Sequence, residues 1–343
     1  MATKSYIGKS NVAREIAEAY IGVDRTARKV KKIYVGVNGV ARLCWTNNNL
    51  VKWTGFNAIS YQYRQVNCMC YGGGKFVAPI TTMPIVAYST DGINWAEATF
   101  PSSDAYIYDV CYGNNKFLVL ANNGVYYSTD GINWNKVSDG YFATVGCSSL
   151  CYGNGKFVVY NYSDNPYIVV STDGVNAYGQ SDNLSSIMPM APILCYGNNK
   201  FVGVGGSDYY EGTNKAIYSS NGTSWYQATL PIAKTWSTLC YGGGKFVAIS
   251  LYGDVVYSSN GINWYQAASL PSLIDSGWWR SVCYGNGKFV AISNTNVYAY
   301  STNGINWVTS IMPSYDAYRC VCYGNNRFVA MVEQGARIAY LDQ

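Results

Sequence analysis

The chain has 343 residues and a formal charge of +5, yet only 13% of its residues are Asp, Glu, Lys or Arg, about half the roughly 25% usual in globular domains. Tyr (34) and Gly (35) are abundant and His is absent, which excludes an ordinary Ser or Cys triad and every zinc ligand set that uses His; no Walker or dinucleotide loop occurs either. No apolar run approaches the roughly 18 residues of a membrane span and the front lacks the apolar stretch of a secretion signal, so we expect a soluble protein made in a cytoplasm, without membrane insertion, metal or cofactor.

The positive charge belongs to the front. Residues 1–52 hold ten Lys or Arg against three acids, leaving fourteen against sixteen in the rest. Residues 1–45 fall into three tandem units of about fourteen residues: Tyr6 to Ala19 (YIGKSNVAREIAEA), Tyr20 to Ile33 (YIGVDRTARKVKKI) and Tyr34 to Trp45 (YVGVNGVARLCW). Each reads as an apolar strand, a polar turn and a basic strand. Lys29, Lys31 and Lys32 alternate around Val30 as the solvated face of a strand, and no recognisable nucleic-acid fold accompanies them, so nucleic acid is not an expected partner.

From residue 46 onward the periodicity changes. "NNNLVKWTGF" (47–56) leads into two alternating strings. One is CYGGGKFVAP and its relatives, starting at Cys70, Cys111, Cys151, Cys195, Cys240, Cys283 and Cys322, at spacings of 39 to 45 residues. It predicts strand, two-residue turn, strand, because paired Gly and Asn take the positive φ angles that such turns demand. The other is YSTDGINW, at Tyr88–Trp95 and Tyr127–Trp134, with variants starting at Val170, Tyr218, Tyr257 and Tyr300. It predicts a strand, a DG or NG turn and a further strand, with its Trp, or Tyr178 in the third copy, wedged between sheets and its Asp or Asn and Ser bonding the turn.

Four short strands per roughly 40 residues is the period of a propeller blade, which must pack on neighbours. The predicted fold is therefore all-β: a seven-bladed β-propeller of four-stranded blades over residues 46–343, preceded by a small β-hairpin repeat segment over residues 1–45. Seven CYG hairpins are followed by only six turn boxes, so a strand near Trp53, 42 residues before Trp95, is expected to complete the last blade beside Ala339. The cysteines are odd in number (11) and occupy equivalent positions, which reads as small buried side chains rather than bridges or metal ligands.

The turn box resembles that of the Asp-box propellers, a group that includes sialidases, although Gly92 follows Asp91 directly and Asn221, Asn260 and Asn303 replace the Asp in three copies. The three front units resemble the YIGV...ARKVKK repeats of tail-fibre and other virion structural proteins of phages and prophages. The resemblance implies a front segment that docks on other virion proteins and a rear domain that faces the host, in a homo-oligomer assembled in the host cytoplasm and exposed on the particle.

Strand alternation places the turns GNGK and STDGIN on one face of the ring and the connections after the second and fourth strands on the other. Those connections vary in length and composition and are rich in aromatic residues beside Asp, Asn and Ser, a pairing that suits a saccharide: rings cover its C–H faces while acids and amides take its hydroxyls. The candidate ligand-binding residues are Tyr106, Tyr108, Tyr162, Tyr167, Tyr209, Tyr210, Trp236, Trp278, Trp279, Arg280, Tyr315 and Tyr318, with Asp104, Asp164, Asp208, Glu211, Asp275 and Asp316. The five propeller arginines (Arg64, Arg280, Arg319, Arg327, Arg337) form no motif, and Arg327 stands in for the Lys of a repeated turn. The expectation is a virion protein without enzyme activity that binds a host-surface glycan or receptor. The alternatives are a purely architectural virion component binding other virion proteins and a sialidase-like glycosidase, which would need an arginine cluster, a Tyr and Glu pair and an Asp acid at the centre of the ring.

Overall fold

The computed structural model describes residues 20–23, 26–29, 32–37, 40–46, 53–57, 65–81, 83–138, 147–161, 166–180, 184, 186–187, 192–206, 212–273, 277–314, 316–333 and 337–342. Contacts divide the chain into Met1–Lys52 and Trp53–Gln343. The first unit contains two antiparallel hairpins, Tyr20–Val23 with Thr26–Lys29 and Lys32–Val37 with Val40–Thr46. They correspond to the second and third of the front repeats; the first repeat lies outside the described residues.

The second unit is a ring of seven antiparallel sheets, and no helix occurs among the described residues. Blade 1 comprises Cys70–Gly72, Lys75–Thr81, Ile85–Ser89 and Ala96–Thr99, with Gln65–Val66 extending its first strand. Blade 2 comprises Ile107–Gly113, Lys116–Ala121, Gly124–Ser128 and Asn135–Lys136, and blade 3 Cys147–Gly153, Lys156–Asn161, Tyr167–Ser171 and Gly179–Gln180. Blade 4 comprises Pro192–Gly197, Lys200–Gly205, Thr213–Ser219 and Tyr226–Lys234, and blade 5 Trp236–Gly242, Lys245–Ser250, Val255–Ser258 and Tyr265–Gln266. Blade 6 comprises Trp279–Gly285, Lys288–Ser293, Val297–Ser301 and Val308–Ile311. Blade 7 takes Tyr318–Gly324, Arg327–Val332 and Arg337–Asp342 from the end of the chain and Thr54–Asn57 from the front. The expected closure is present: Gly55 pairs with Ala339 and Thr54 with Tyr340, and Trp53 is buried edge-on against Tyr298 of blade 6, with ring centres 5.9 Å apart.

First strands of successive blades touch one another around the ring axis. Second strands lie between two neighbouring sheets, so both of their faces are buried and their sequence is continuously apolar rather than alternating: Phe117 to Ala121 are at most 2% exposed. The Gly of each CYG is a contact, not a hinge. A Cβ on Gly72 would sit 2.0 Å from the ring of Tyr112 in blade 2, and one on Gly324 would sit 2.1 Å from the ring of Tyr71, so the same wedge closes blade 7 on blade 1. The two-residue turns that follow have positive φ at both positions, 44° and 57° at Asn114 and Asn115, as the sequence requires.

The near-identity of these turns has a mechanical cause. Lys116 Nζ donates to the carbonyl of Asp173 at 2.8 Å and Asn114 Nδ2 to that of Thr172 at 2.9 Å, so the turn of blade 2 holds the box of blade 3. Lys156 does the same for Asn221 at 2.9 Å, and Arg327 and Asn325 of blade 7 hold the carbonyls of Asp91 and Thr90 in blade 1. Arg327 therefore performs the structural role expected of it. Within each box the Ser hydroxyl accepts the Gly N–H (Ser89 and Gly92, 2.8 Å), while the Asp carboxylate accepts two N–H groups (Ile93 and Asn94, both 2.8 Å). Asn221, Asn260 and Asn303 keep these acceptor roles with Oδ1. One expectation needs correcting. In the third box Ala177 occupies the Trp position and Tyr178 is 53% exposed instead of wedged, because Tyr178 is one residue past the inward-facing site.

Nine described cysteines are free thiols, Cys151 and Cys320 buried and the others half-buried. The seven repeated ones lie on first strands, and burial pushes their thiols up, to about 12 for Cys195 and Cys322. Among the described residues no His, Cys, Asp and Glu group is arranged to hold a metal ion.

Candidate functional site

In blades 1, 3, 5 and 6 the described parts of the connections after the second and fourth strands meet on one face. Phe100 N–H donates to the Pro84 carbonyl in blade 1, Leu184 to Pro166 in blade 3, Leu270 to Gly253 in blade 5 and Met312 to Asn296 in blade 6, at 2.6 to 2.8 Å. From this face each first strand dives toward the repeated turn. A register shift falls at the same place in blades 2, 3, 5, 6 and 7, three residues before the repeated Cys, at Tyr108, Ser148, Ser237, Arg280 and Arg319. Such a bulge re-aims side chains at the end of a sheet.

Counting back from that Cys sorts the candidates by parity. The fourth residue packs between blades: Trp236 is 1% exposed, Trp279 0%, Tyr318 1% and Ile107 0%. The expectation that Trp236, Trp279 and Tyr318 offer their rings to a ligand is thus corrected, since those faces are covered by protein. Trp236 Nε1 is bonded to the Thr213 carbonyl at 3.0 Å and the Tyr318 hydroxyl to Ser314 at 2.9 Å. The third and fifth residues are less covered, exposed in blade 2 and half-buried in blades 5 and 6. Tyr106 and Tyr108 are each 37% exposed with ring centres 5.4 Å apart, and Arg280 lies over the ring of Trp278 at 4.8 Å.

These pairs are held by one device used twice. Trp278 N–H donates to Asn294 Oδ1 at 2.6 Å while Asn294 N–H returns a bond to the Trp278 carbonyl at 2.9 Å. Tyr106 and Asn122 repeat this at 2.8 and 3.0 Å. The aromatic residue is thereby fixed to the connection after its own second strand.

The other candidates divide as follows. Asp104 is exposed and accepts the Ser102 hydroxyl at 2.9 Å. Both carboxylate oxygens of Asp316 accept from Arg337 Nη1, at 3.0 and 3.2 Å, which holds it as a loop clasp. Tyr167 is half-buried against the apolar contact of blades 2 and 3. Tyr162, Asp164, Asp208, Tyr209, Tyr210, Glu211, Asp275 and Tyr315 lie outside the described residues.

Three residues at this inner rim were missed in the sequence. Arg319, 3.8 Å from Glu333, holds in blade 7 the place of Arg280 in blade 6. Asn67 holds it in blade 1, donating to the Ile107 carbonyl at 2.8 Å. Asp109, one residue further in, accepts the N–H of Leu150 in blade 3 at 2.9 Å, where Ser149, Thr238 and Ser281 serve with hydroxyls. Burial outweighs the bonds from Leu150 and Val110 and pushes its carboxyl up to about 7. Aligning the seven CYG strings and reading the column three before Cys would have found Asn67 and both arginines. An open groove of about 550 Å³ between the outer strands of blades 1 and 2, lined by Glu97, Thr99, Pro101, Ile132, Asn133 and Trp134, contains none of the candidates.

The second unit, Trp53–Gln343, is a seven-bladed β-propeller with aromatic and cationic side chains at the start of its first strands. No family model and no curated protein sequence matches the chain. Solved structures do. A virginiamycin B lyase from Staphylococcus aureus is similar with a TM-score of 0.69 at 12% identity, over 85% of this chain and 99% of that one. YCF48 bound to a D1 peptide gives 0.62 at 14% identity, over 85% and 95%. The extracellular domain of a putative one-component system, BT4673 from B. thetaiotaomicron, gives 0.62 at 9%, over 84% of this chain and 40% of that one. At these identities the likeness shows the fold alone. It also corrects the expectation of no enzyme activity: a lyase is built on the same ring, so neither the propeller nor the want of a familiar motif argues against catalysis.

Proposed function

We propose that the propeller is the attachment module of a phage virion protein, binding a host-surface saccharide at the inner rim of its variable face, while residues 1–45 anchor several copies to the particle. One observation carries this reading: in blades 2 and 6 the same backbone clasp presents a pair of side chains at equivalent places on the first strand, the exposed Tyr106 with Tyr108 and the half-buried Trp278 with Arg280. Packing does not require rings at these positions, since blade 5 has Thr235 and Ser237 there and blade 7 Ala317 and Arg319. Flat rings beside a guanidinium and amides are the chemistry that grips a pyranose. The front repeats support the virion assignment through their resemblance to phage structural proteins. Weak sites on several tethered copies would act together, raising avidity by orders of magnitude.

A glycan array probed with the full chain tests the proposal. Binding should appear for a defined saccharide set and fall at least tenfold in Trp278→Ala and in Tyr108→Ala. Binding that both variants leave intact, or an array on which nothing binds, would overturn it.

A further inference from the structure

A second set of exposed rings lies on the outer rim, away from the clasped pairs. The residue after the box aromatic begins the outward face of the fourth strand. In two consecutive blades it is Tyr, Tyr226 in blade 4 and Tyr265 in blade 5, 57% and 55% exposed, and in blade 3 Tyr178, 53% exposed, immediately precedes the fourth strand, which there is shifted by one residue so that Gly179 faces Val170. In the other blades the same place holds Ala96, Asn135, Val308 and Thr54, so the fold makes no demand for an aromatic residue there. Two of the three are backed by a second ring across the strand pair. Tyr226 lies over Tyr218 with centres 5.6 Å apart and planes 31° from parallel, and Tyr265 over Tyr257 at 5.7 Å and 33°.

An exposed Gln follows each of these stacked pairs, Gln227 and Gln266. The local strand sequences are YQAT and YQAA, without a charge, whereas blades 1 and 2 have AEAT and NKVS at the same register. Blades 4 and 5 thus each offer one flat ring held nearly parallel to a supporting ring, with one amide beside it and no charge within YQAT or YQAA, and blade 3 adds the exposed ring of Tyr178.

From these residues we infer that the outer rim of blades 3 to 5 is a second binding site, for an uncharged polysaccharide. The chemistry selects the ligand in two ways. A ring face with a neighbouring amide matches the C–H face and hydroxyls of a neutral sugar, and nothing at the site would compensate a charged one. Repetition of the same group from blade to blade matches a ligand that itself repeats, so occupancy should grow with chain length as further units engage. The inference does not depend on the inner-rim reading, since none of its residues is shared.

Affinity electrophoresis of the full chain tests it, in native gels cast with a neutral galactomannan or dextran, or with anionic alginate. Migration should be retarded by a neutral polymer, not by alginate, and soluble oligosaccharides of the same polymer should compete better with increasing length. The triple variant Tyr178→Ser, Tyr226→Ser, Tyr265→Ser should lose the retardation with an unchanged melting temperature, each single variant should lose part of it, and Trp278→Ala should keep it. The inference is overturned if no neutral polymer retards the protein, if the triple variant migrates like the wild type in all gels, or if retardation disappears only with Trp278→Ala. Concentration-dependent self-association of the wild type that the triple variant abolishes, without polymer retardation, would also overturn it.

Discussion

The two faces of the ring use the same strands for different ends. On the face of the repeated turns, Lys116, Lys156, Asn114, Asn325 and Arg327 are spent on carbonyls of the next blade, and the box Ser and Asp on their own turn. On the opposite face bonds within a blade, such as Phe100 to Pro84 and Met312 to Asn296, stand beside bonds between blades, such as Trp236 to Thr213 and Asn67 to Ile107, and the residues between them differ from blade to blade. Uniformity therefore marks the positions that join blades, and variation the positions free to meet a ligand. A substitution on the first face should cost stability; on the second, one at the third or fifth residue before the repeated Cys should cost binding, and one at the fourth should cost stability.

The largest effect should come from the seam. Trp53→Ala removes a buried ring that joins the closing strand to blade 6 and should destabilise by about 3–5 kcal/mol, read from the midpoint of chemical denaturation. Gly92→Ala should follow at about 1–3 kcal/mol, because the residue has φ +73° and its new methyl would meet Val329 of blade 7 at 2.6 Å. Equal stability of the Gly92→Ala protein would show that the box does not seat on the preceding blade. Lys116→Met should cost about 1 kcal/mol by unlatching blade 3 while leaving ligand binding unchanged.

The smallest effect is on pH dependence. Slight desolvation of Asp91 is outweighed by bonds from Ile93, Asn94 and Ser89 that hold its carboxyl down at about 2, and Asp130 and Asp173 are held lower still. Their folded pKa values lie below the unfolded one, so their stabilisation is present above about pH 4 and is lost as pH falls toward 2. The triple change Asp91→Asn, Asp130→Asn, Asp173→Asn should flatten denaturation curves in that window, since the Asn boxes of blades 4 to 6 have no proton to gain. Asp109 acts in the opposite sense. Its raised pKa makes its contribution complete below about pH 4 and lost as pH rises through about 7, so Asp109→Ser should flatten that upper window.

Much of this was legible in the sequence because repetition gives each strand seven chances to declare itself. Seven CYG strings against six boxes was enough to place residues near Trp53 beside Ala339. The site was less legible for a specific reason. "DSGWWR" and "PSYDAYR" read as loops, whereas the first strands already start at Trp279 and Tyr318. Once a strand begins, neighbouring residues face opposite ways, so Trp278 and Trp279 cannot both be on the surface. The bulge at Arg280 and Arg319 then breaks simple alternation and hides the phase, and only counting from the repeated Cys restores it. Tyr178 was misplaced by the same one-residue slip.

The central claim is that parity on the first strand separates structural from ligand-facing residues, and adjacent tryptophans offer its most direct test. Trp279→Ala and Trp278→Ala should be compared for denaturation midpoint and for saccharide binding under identical conditions. The account predicts a loss of about 3–5 kcal/mol for Trp279→Ala, and for Trp278→Ala a stability within about 1 kcal/mol of wild type with binding reduced at least tenfold. A Trp278→Ala protein that binds normally but unfolds easily, or a Trp279→Ala protein as stable as wild type, would contradict it.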